Sequence, residues 1–138
     1  MNDYRLKDIH AGMQEGFEVE LSQSMEDSFR EITGDINPLH YDDSFAQKVL
    51  GGGHVAFGML TASFLSTLAG VYLPGRYSLI HSVENISFLK PVHAGDVLNV
   101  KGVVAEVYEE LRMLKVNVTV SRSDDVVLKA RMKILVMK

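Results

Sequence analysis

An α+β fold, with a curved antiparallel sheet wrapped around one central helix, is predicted by three features of this chain. From about Ala56 to Val71 the residues are apolar or small on nearly every side, so a helix there should be enclosed by protein. Four long extended runs follow, Tyr77 to Leu89, Val97 to Tyr108, Leu111 to Ser121 and Val126 to Met137. Short turn segments at Glu109-Glu110 and Ser123-Asp124-Asp125 join the last three runs, which implies antiparallel hairpins. One enclosed helix ahead of a set of strands asks for a sheet that curves over it.

The elements can be justified in chain order. Phe17-Glu18-Val19-Glu20-Leu21 alternates apolar and charged residues, the two-residue period of a half-buried strand, and should open the sheet. Ser24 followed by Asp27 is an acidic variant of the capping box, and Met25, Phe29 and Ile32 recur at helical spacing, so a short helix should run up to Thr33. Asp43 is placed to cap a second short helix from Ser44 to Leu50, ended by Gly51-Gly52-Gly53. Three glycines suit a hinge or a close backbone approach, and they match neither the Gly-x-x-x-x-Gly-Lys-Ser/Thr nor the Gly-x-Gly-x-x-Gly phosphate-binding pattern. The enclosed helix ends before a Pro74-Gly75 turn. In the third extended run Val116, Val118 and Val120 face one way, while Asn117, Thr119 and Ser121 face the other.

Composition narrows the functional classes. At 138 residues the chain is sized for a single domain, residues 1–138, and its 46% hydrophobic and 23% charged content is that of a folded protein. A net charge of −4 argues against a nucleic-acid surface, which needs clustered Lys and Arg. The absence of cysteine removes disulfides, thiolate metal sites and cysteine nucleophiles, and fits a reducing compartment. The first ten residues carry Asp3, Arg5, Lys7 and Asp8 rather than the apolar core of a signal peptide, so a cytoplasmic location is expected. The stretch from Val55 to Leu73 is broken by Gly58, Thr61, Ser63, Ser66, Thr67 and Gly70, which suits a buried helix better than a membrane span. His10, His40, His54, His81 and His93 form no His-x-x-x-His pair, so no metal site is expected.

The stretch Thr33-Gly34-Asp35-Ile36-Asn37-Pro38-Leu39-His40-Tyr41-Asp42 concentrates the chemistry. On a continuous helix, positions five apart diverge by about 140°. Pro38 pushes Asn37 out of the helical region, so the segment reads as a shaped loop across which Asp35 and His40 can converge. With ordinary pKa values near 3.9 and 6.5, an Asp is ionised and a His mostly neutral at neutral pH, so the two can hold one water between them. Asn37 should shape the loop by bonding backbone groups.

This motif resembles that of the MaoC-like hydratases, the (R)-specific enoyl-CoA hydratases of the hot-dog fold, in which Asp-x-Asn-Pro-x-His-x-Asp follows a Phe-containing helix. The matching residues are Phe29, Asp35, Asn37, Pro38, His40 and Asp42. The likeness continues through Phe57 to Ser66, Leu73-Pro74-Gly75 and Ser87 to Asp96, so it covers most of the chain in order. It implies a hot-dog domain that forms a homodimer or a multiple of one, and hydration of a trans-2-enoyl-CoA to the (R)-3-hydroxyacyl-CoA, the reverse reaction included. Asp35 is then the leading base toward water and His40 its partner in orientation and proton transfer. The resemblance maps the oxyanion-hole amide onto Gly58, at a helix start where a free N–H and the helix dipole favour negative charge. It also maps a serine beside the site onto Ser66, although a serine on an apolar helix is equally well a core hydroxyl bonded one turn back. One departure is visible: the family often has His where this chain has Phe57, with His54 three positions earlier, read as a loop residue. Coenzyme A enters only as the substrate thioester, and no resident cofactor is implied. Arg76 and Lys90 are candidates for contacts with its phosphates.

Rival readings stay open within the same fold. A thioesterase, or a dehydratase acting on acyl-carrier-protein substrates, would carry its carboxylate on the central helix, yet Ala56 to Val71 contains neither Asp nor Glu. A non-catalytic acyl-thioester-binding module is a further alternative. Acyl-chain length and the choice between coenzyme A and acyl carrier protein are not set by these motifs.

Overall fold

The computed structural model describes residues 1–138. Strands β1 (Gln14–Glu20), β2 (Ser78–Phe88), β3 (Val97–Tyr108), β4 (Met113–Arg122) and β5 (Asp125–Val136) form one antiparallel sheet in the order β1-β3-β4-β5-β2. The alternation expected in β4 is present: Val116, Val118 and Val120 are buried and Asn117 is exposed. The two hairpins expected from the short turns are β3–β4 and β4–β5. The latter turns tightly, with Arg122 paired to Asp125 and Ser123 at φ 51°. β2 does not pair with β3, however. It crosses to β5, which leaves β2 and β1 as the two sheet edges.

Three α-helices accompany the sheet: α1 (Gln23–Thr33), α2 (Asp43–Leu50) and α3 (Gly58–Thr67), the last continued by a π-helical turn, Leu68–Tyr72. Leu60, Leu65 and Leu68 share one hydrophobic core with Leu98, Val100, Leu114, Val116, Met132 and Ile134 of the sheet. Gly102 on β3 makes this close approach possible, because a Cβ there would lie 3.0 Å from side-chain carbons of Leu68 and Val116. The sheet therefore wraps α3 in the hot-dog arrangement, a single α+β domain. No helix is long and apolar enough to cross a membrane.

Several local expectations shift by one or two residues. Ser22, rather than Ser24, caps α1 by accepting the Met25 N–H at 3.2 Å. Asp42, rather than Asp43, caps α2 through the Phe45 N–H at 3.0 Å. Both caps fall where the chain first leaves an extended conformation, which neither residue type reveals by itself. Met25 and Phe29 pack against the core, but Ile32 at the end of the same apolar row is exposed. Met59 is also exposed, where a core position was expected, because α3 presents its first turn to an open cavity.

Candidate active site

The loop after α1 is built from side chains that cap the backbone two residues ahead. Gly34 ends α1 in the left-handed conformation at φ 72° and donates its N–H to Arg30 O at 2.9 Å. Asp35 Oδ1 then accepts the Asn37 N–H at 3.0 Å, and Asn37 Oδ1 accepts the Leu39 N–H at 3.1 Å. These successive Asx turns, with Pro38 fixing its own φ, start the 3-10 turn Pro38–His40. Asn37 thus shapes the loop as its residue type suggests.

His40 is held in one tautomer. Its Nδ1 lies 2.9 Å from Val55 O, a carbonyl that can only accept, so the ring carries its proton on Nδ1 and leaves Nε2 free for proton transfer. The ring also packs against Phe57, with centroids 4.2 Å apart and planes tilted by 30°, and Phe57 in turn meets Phe29 at 5.0 Å. Phe57, at the position where a histidine was the alternative, is therefore a buried wall behind His40.

The segment ahead of α3 is pinned from several directions. Val55 N–H donates to Leu39 O at 3.0 Å, Ala56 N–H to Val92 O at 2.7 Å and Phe57 N–H to Glu26 Oε1 at 3.2 Å. Gly58 is then the first residue of α3, and its N–H has no protein partner. His54 is fixed further out: Asp43 Oδ1 accepts its N–H at 2.9 Å and lies 2.6 Å from its Nδ1. Those two bonds from His54 hold the Asp43 carboxyl below the usual range.

Asp35, His40 and Gly58 line one open cavity of about 540 Å³ together with Phe29, Met59 and Phe88. No direct hydrogen bond or ion pair joins Asp35 to His40, so each keeps a free polar atom for a third group. A second cavity of about 260 Å³ shares Phe88 and Gly58 with the first and also reaches Thr61, whose buried hydroxyl has no partner. The arrangement offers a carboxylate, an imidazole Nε2 and an unpaired N–H at a helix start, which is a set suited to moving a proton while an oxyanion forms.

Ser66 is not brought to this place. It is exposed on α3, lines neither cavity and makes no side-chain hydrogen bond; the back-bonding serine on that helix is Ser63, to Leu60 O at 2.6 Å. Lys90 at the rim of the second cavity is engaged by Asp125 at 2.7 Å, whereas Arg76 is exposed without an ion pair. Glu26 is the residue that sequence reasoning passed over. It is only 2% exposed, and burial pushes its carboxyl up, against the smaller downward pull of the Phe57 N–H, His40 and His54. Its position three residues before Phe29, on the same helix face, was the available signal.

Comparison with known proteins follows the same lines. The family model described as the MaoC-like domain matches residues 8–126. A 3-hydroxybutyryl-CoA dehydratase of Methylorubrum extorquens is 37% identical over 122 residues, covering 88% of this chain and 77% of that protein. An (R)-specific enoyl-CoA hydratase of Rhodospirillum rubrum is 27% identical over 130 residues, 94% of this chain and 90% of that protein. Among solved structures, the unliganded R-hydratase of Pseudomonas aeruginosa superposes with a TM-score of 0.89 over 99% of this chain and 87% of its own, at 21% identity, a likeness of fold.

Proposed function

The chain belongs to the MaoC-like domain family, and on that premise we propose that it is a hydro-lyase adding water reversibly to a trans-2-enoyl-CoA to give the (R)-3-hydroxyacyl-CoA. The observation that carries the reading is the meeting of Asp35, His40 and the unpaired Gly58 N–H in one cavity. The (R) outcome is supported by relatives named for that specificity.

Water sits between the Asp35 carboxylate and His40 Nε2. Asp35 accepts a proton as the water oxygen bonds to the β-carbon, and His40 orients the water and takes part in passing the proton to the α-carbon. Negative charge moving onto the thioester oxygen meets the Gly58 N–H, a donor of a kind whose loss costs about 2.7 to 4 kcal/mol of barrier. Dehydration is the same path reversed. The addition needs no resident cofactor, and the coenzyme A thioester, or its acyl-carrier-protein counterpart, is substrate. α3 carries no carboxylate, which weighs against a thioesterase built on that helix. We further read the working form as a homodimer in a reducing, cytoplasmic setting, with no nucleic acid or membrane as partner.

The test is hydration of crotonyl-CoA, with the product resolved as the (R)-3-hydroxy thioester and Asp35→Asn as the control. Equal inactivity of the wild type and Asp35→Asn on short, medium and branched enoyl-CoAs defeats the assignment. Release of free coenzyme A would favour the thioesterase instead.

A further inference from the structure

Glu26 is the only acidic or basic residue fully buried in the fold. Oε1 accepts the Phe57 N–H at 3.2 Å, and Oε2 is buried with no partner. For stability alone a methionine of similar volume would suit this position better, since it buries no unpaired oxygen. A carboxyl supplies one thing that methionine cannot, an acceptor for the Phe57 amide.

Phe57 joins the two halves of the site. Its ring packs against His40 at 4.2 Å, and it is the cap residue directly before Gly58. A shift of Phe57 therefore moves the proton-transfer ring and the unpaired amide together. We propose that Glu26 is a positioning residue for the reaction: by clamping the Phe57 backbone it holds the Gly58 N–H at the thioester oxygen and the Phe57 ring behind His40. Its effect on turnover rests on the hydro-lyase reading, whereas the clamp itself does not.

The groups facing Glu26 are Asp27 on its own helix, His40 on the 3-10 turn, His54 on the segment before α3 and the Phe57 N–H. Burial outweighs the two histidines and favours the acid form, in which one oxygen still accepts. A glutamine keeps that acceptor and a methionine does not, so the pair of variants separates acceptor from volume.

In the full chain, Glu26→Gln and Glu26→Met are compared by amide hydrogen exchange at Phe57 and Gly58, thermal unfolding, and kcat and KM for crotonyl-CoA. The Gln variant is expected to keep the Phe57 protection and a kcat within about threefold of wild type. The Met variant is expected to unfold near the wild-type temperature, to lose Phe57 protection at least about tenfold, and to lose kcat about tenfold or more with KM little changed. Retained Phe57 protection in Glu26→Met overturns the proposal, as does a kcat loss that only tracks unfolded protein or a Gln variant as impaired as Met. Exchange is read without substrate, so a wild type inactive on every enoyl-CoA defeats the hydro-lyase reading while the exchange data still judge the clamp.

Discussion

Gly58 lacks a side chain where the Phe88 ring lies close, and the consequence is testable. A Cβ there would lie 3.0 Å from Phe88 ring carbons, but that ring is half exposed and free to move aside. Gly58→Ala is therefore expected to change the melting temperature by only a few degrees, yet to lower kcat/KM about tenfold or more, because the methyl group stands over the amide that the thioester oxygen must reach. Adding Phe88→Leu relieves the crowding and leaves the methyl in place, so turnover restored in the double variant would trace the loss to Phe88 instead. Glu26 makes a second prediction, in stability rather than rate. Its folded-state pKa is raised, so the folded chain keeps a proton that the unfolded chain releases near pH 4.3, and stability must fall as pH rises from about 4.3 toward the raised folded value. Urea unfolding of wild type against Glu26→Gln reads this directly: a difference between the two that does not change from about pH 4 to neutrality sinks it. Asp35, Asn37 and His40 were legible in the sequence because the bonds that shape their loop close within a few residues. The exposure of Ser66 and the burial of Glu26 were not legible, because burial is decided by which element lies opposite. α3 turns Ser66 outward and α1 turns Glu26 inward.

Among the elements, α1, the 3-10 turn and the connection from β2 to β3 converge on the short segment ahead of α3; the 3-10 turn makes two hydrogen bonds to it, through Leu39 and His40, and the other two make one each. The connection from β2 is itself anchored by Asp96, whose Oδ2 accepts the His93 N–H at 2.9 Å and Arg122 at 2.8 Å, while Arg122 also reaches Pro91 O at 3.0 Å. Burial alone would raise the Asp96 carboxyl, but the His93 N–H and the guanidinium more than offset it and hold it below the usual range. Its contribution is thus complete above the unfolded value of about 3.9 and lost as pH falls through the lower folded value. Asp96→Asn is expected to cost about 1 kcal/mol at neutral pH and to flatten the acid limb of stability below about pH 4. An Asn variant with the same acid slope as wild type would show the anchor to be without effect. The helical and strand elements were legible from periodicity, and the central helix and last strands fell within two residues of expectation. The sheet order was not, because a pattern of alternating residues states which face is buried but not which neighbour provides the pairing edge. That β2 crosses to β5 rather than turning back onto β3 follows from closing the sheet over α3.

For the whole molecule the two sheet edges differ in a way that selects how a second copy can add. β1 is seven residues long and carries Glu15, Glu18 and Glu20, charges that discourage another strand. β2 is eleven residues long, pairs only with β5, and leaves Leu79, Val83 and Phe88 exposed at 55%, 38% and 51%. A long edge that exposes Leu79, Val83 and Phe88 beside the polar His81, Asn85 and Ser87 is a template for strand addition, and a two-fold axis through β2 would pair it antiparallel with itself and cover the same residues on both copies. The chain is therefore expected to sediment at about twice its 15.3 kDa mass. Val83→Lys places like charges across the axis and should yield a folded monomer, as judged by light scattering together with an unchanged circular dichroism spectrum. Because Phe88 ends β2 and also lines both cavities that share Gly58, the monomer should turn over enoyl-CoA more slowly than the dimer. A wild type that is monomeric at micromolar concentration, or a Val83→Lys variant that remains dimeric, would place the contact elsewhere and remove β2 from the argument.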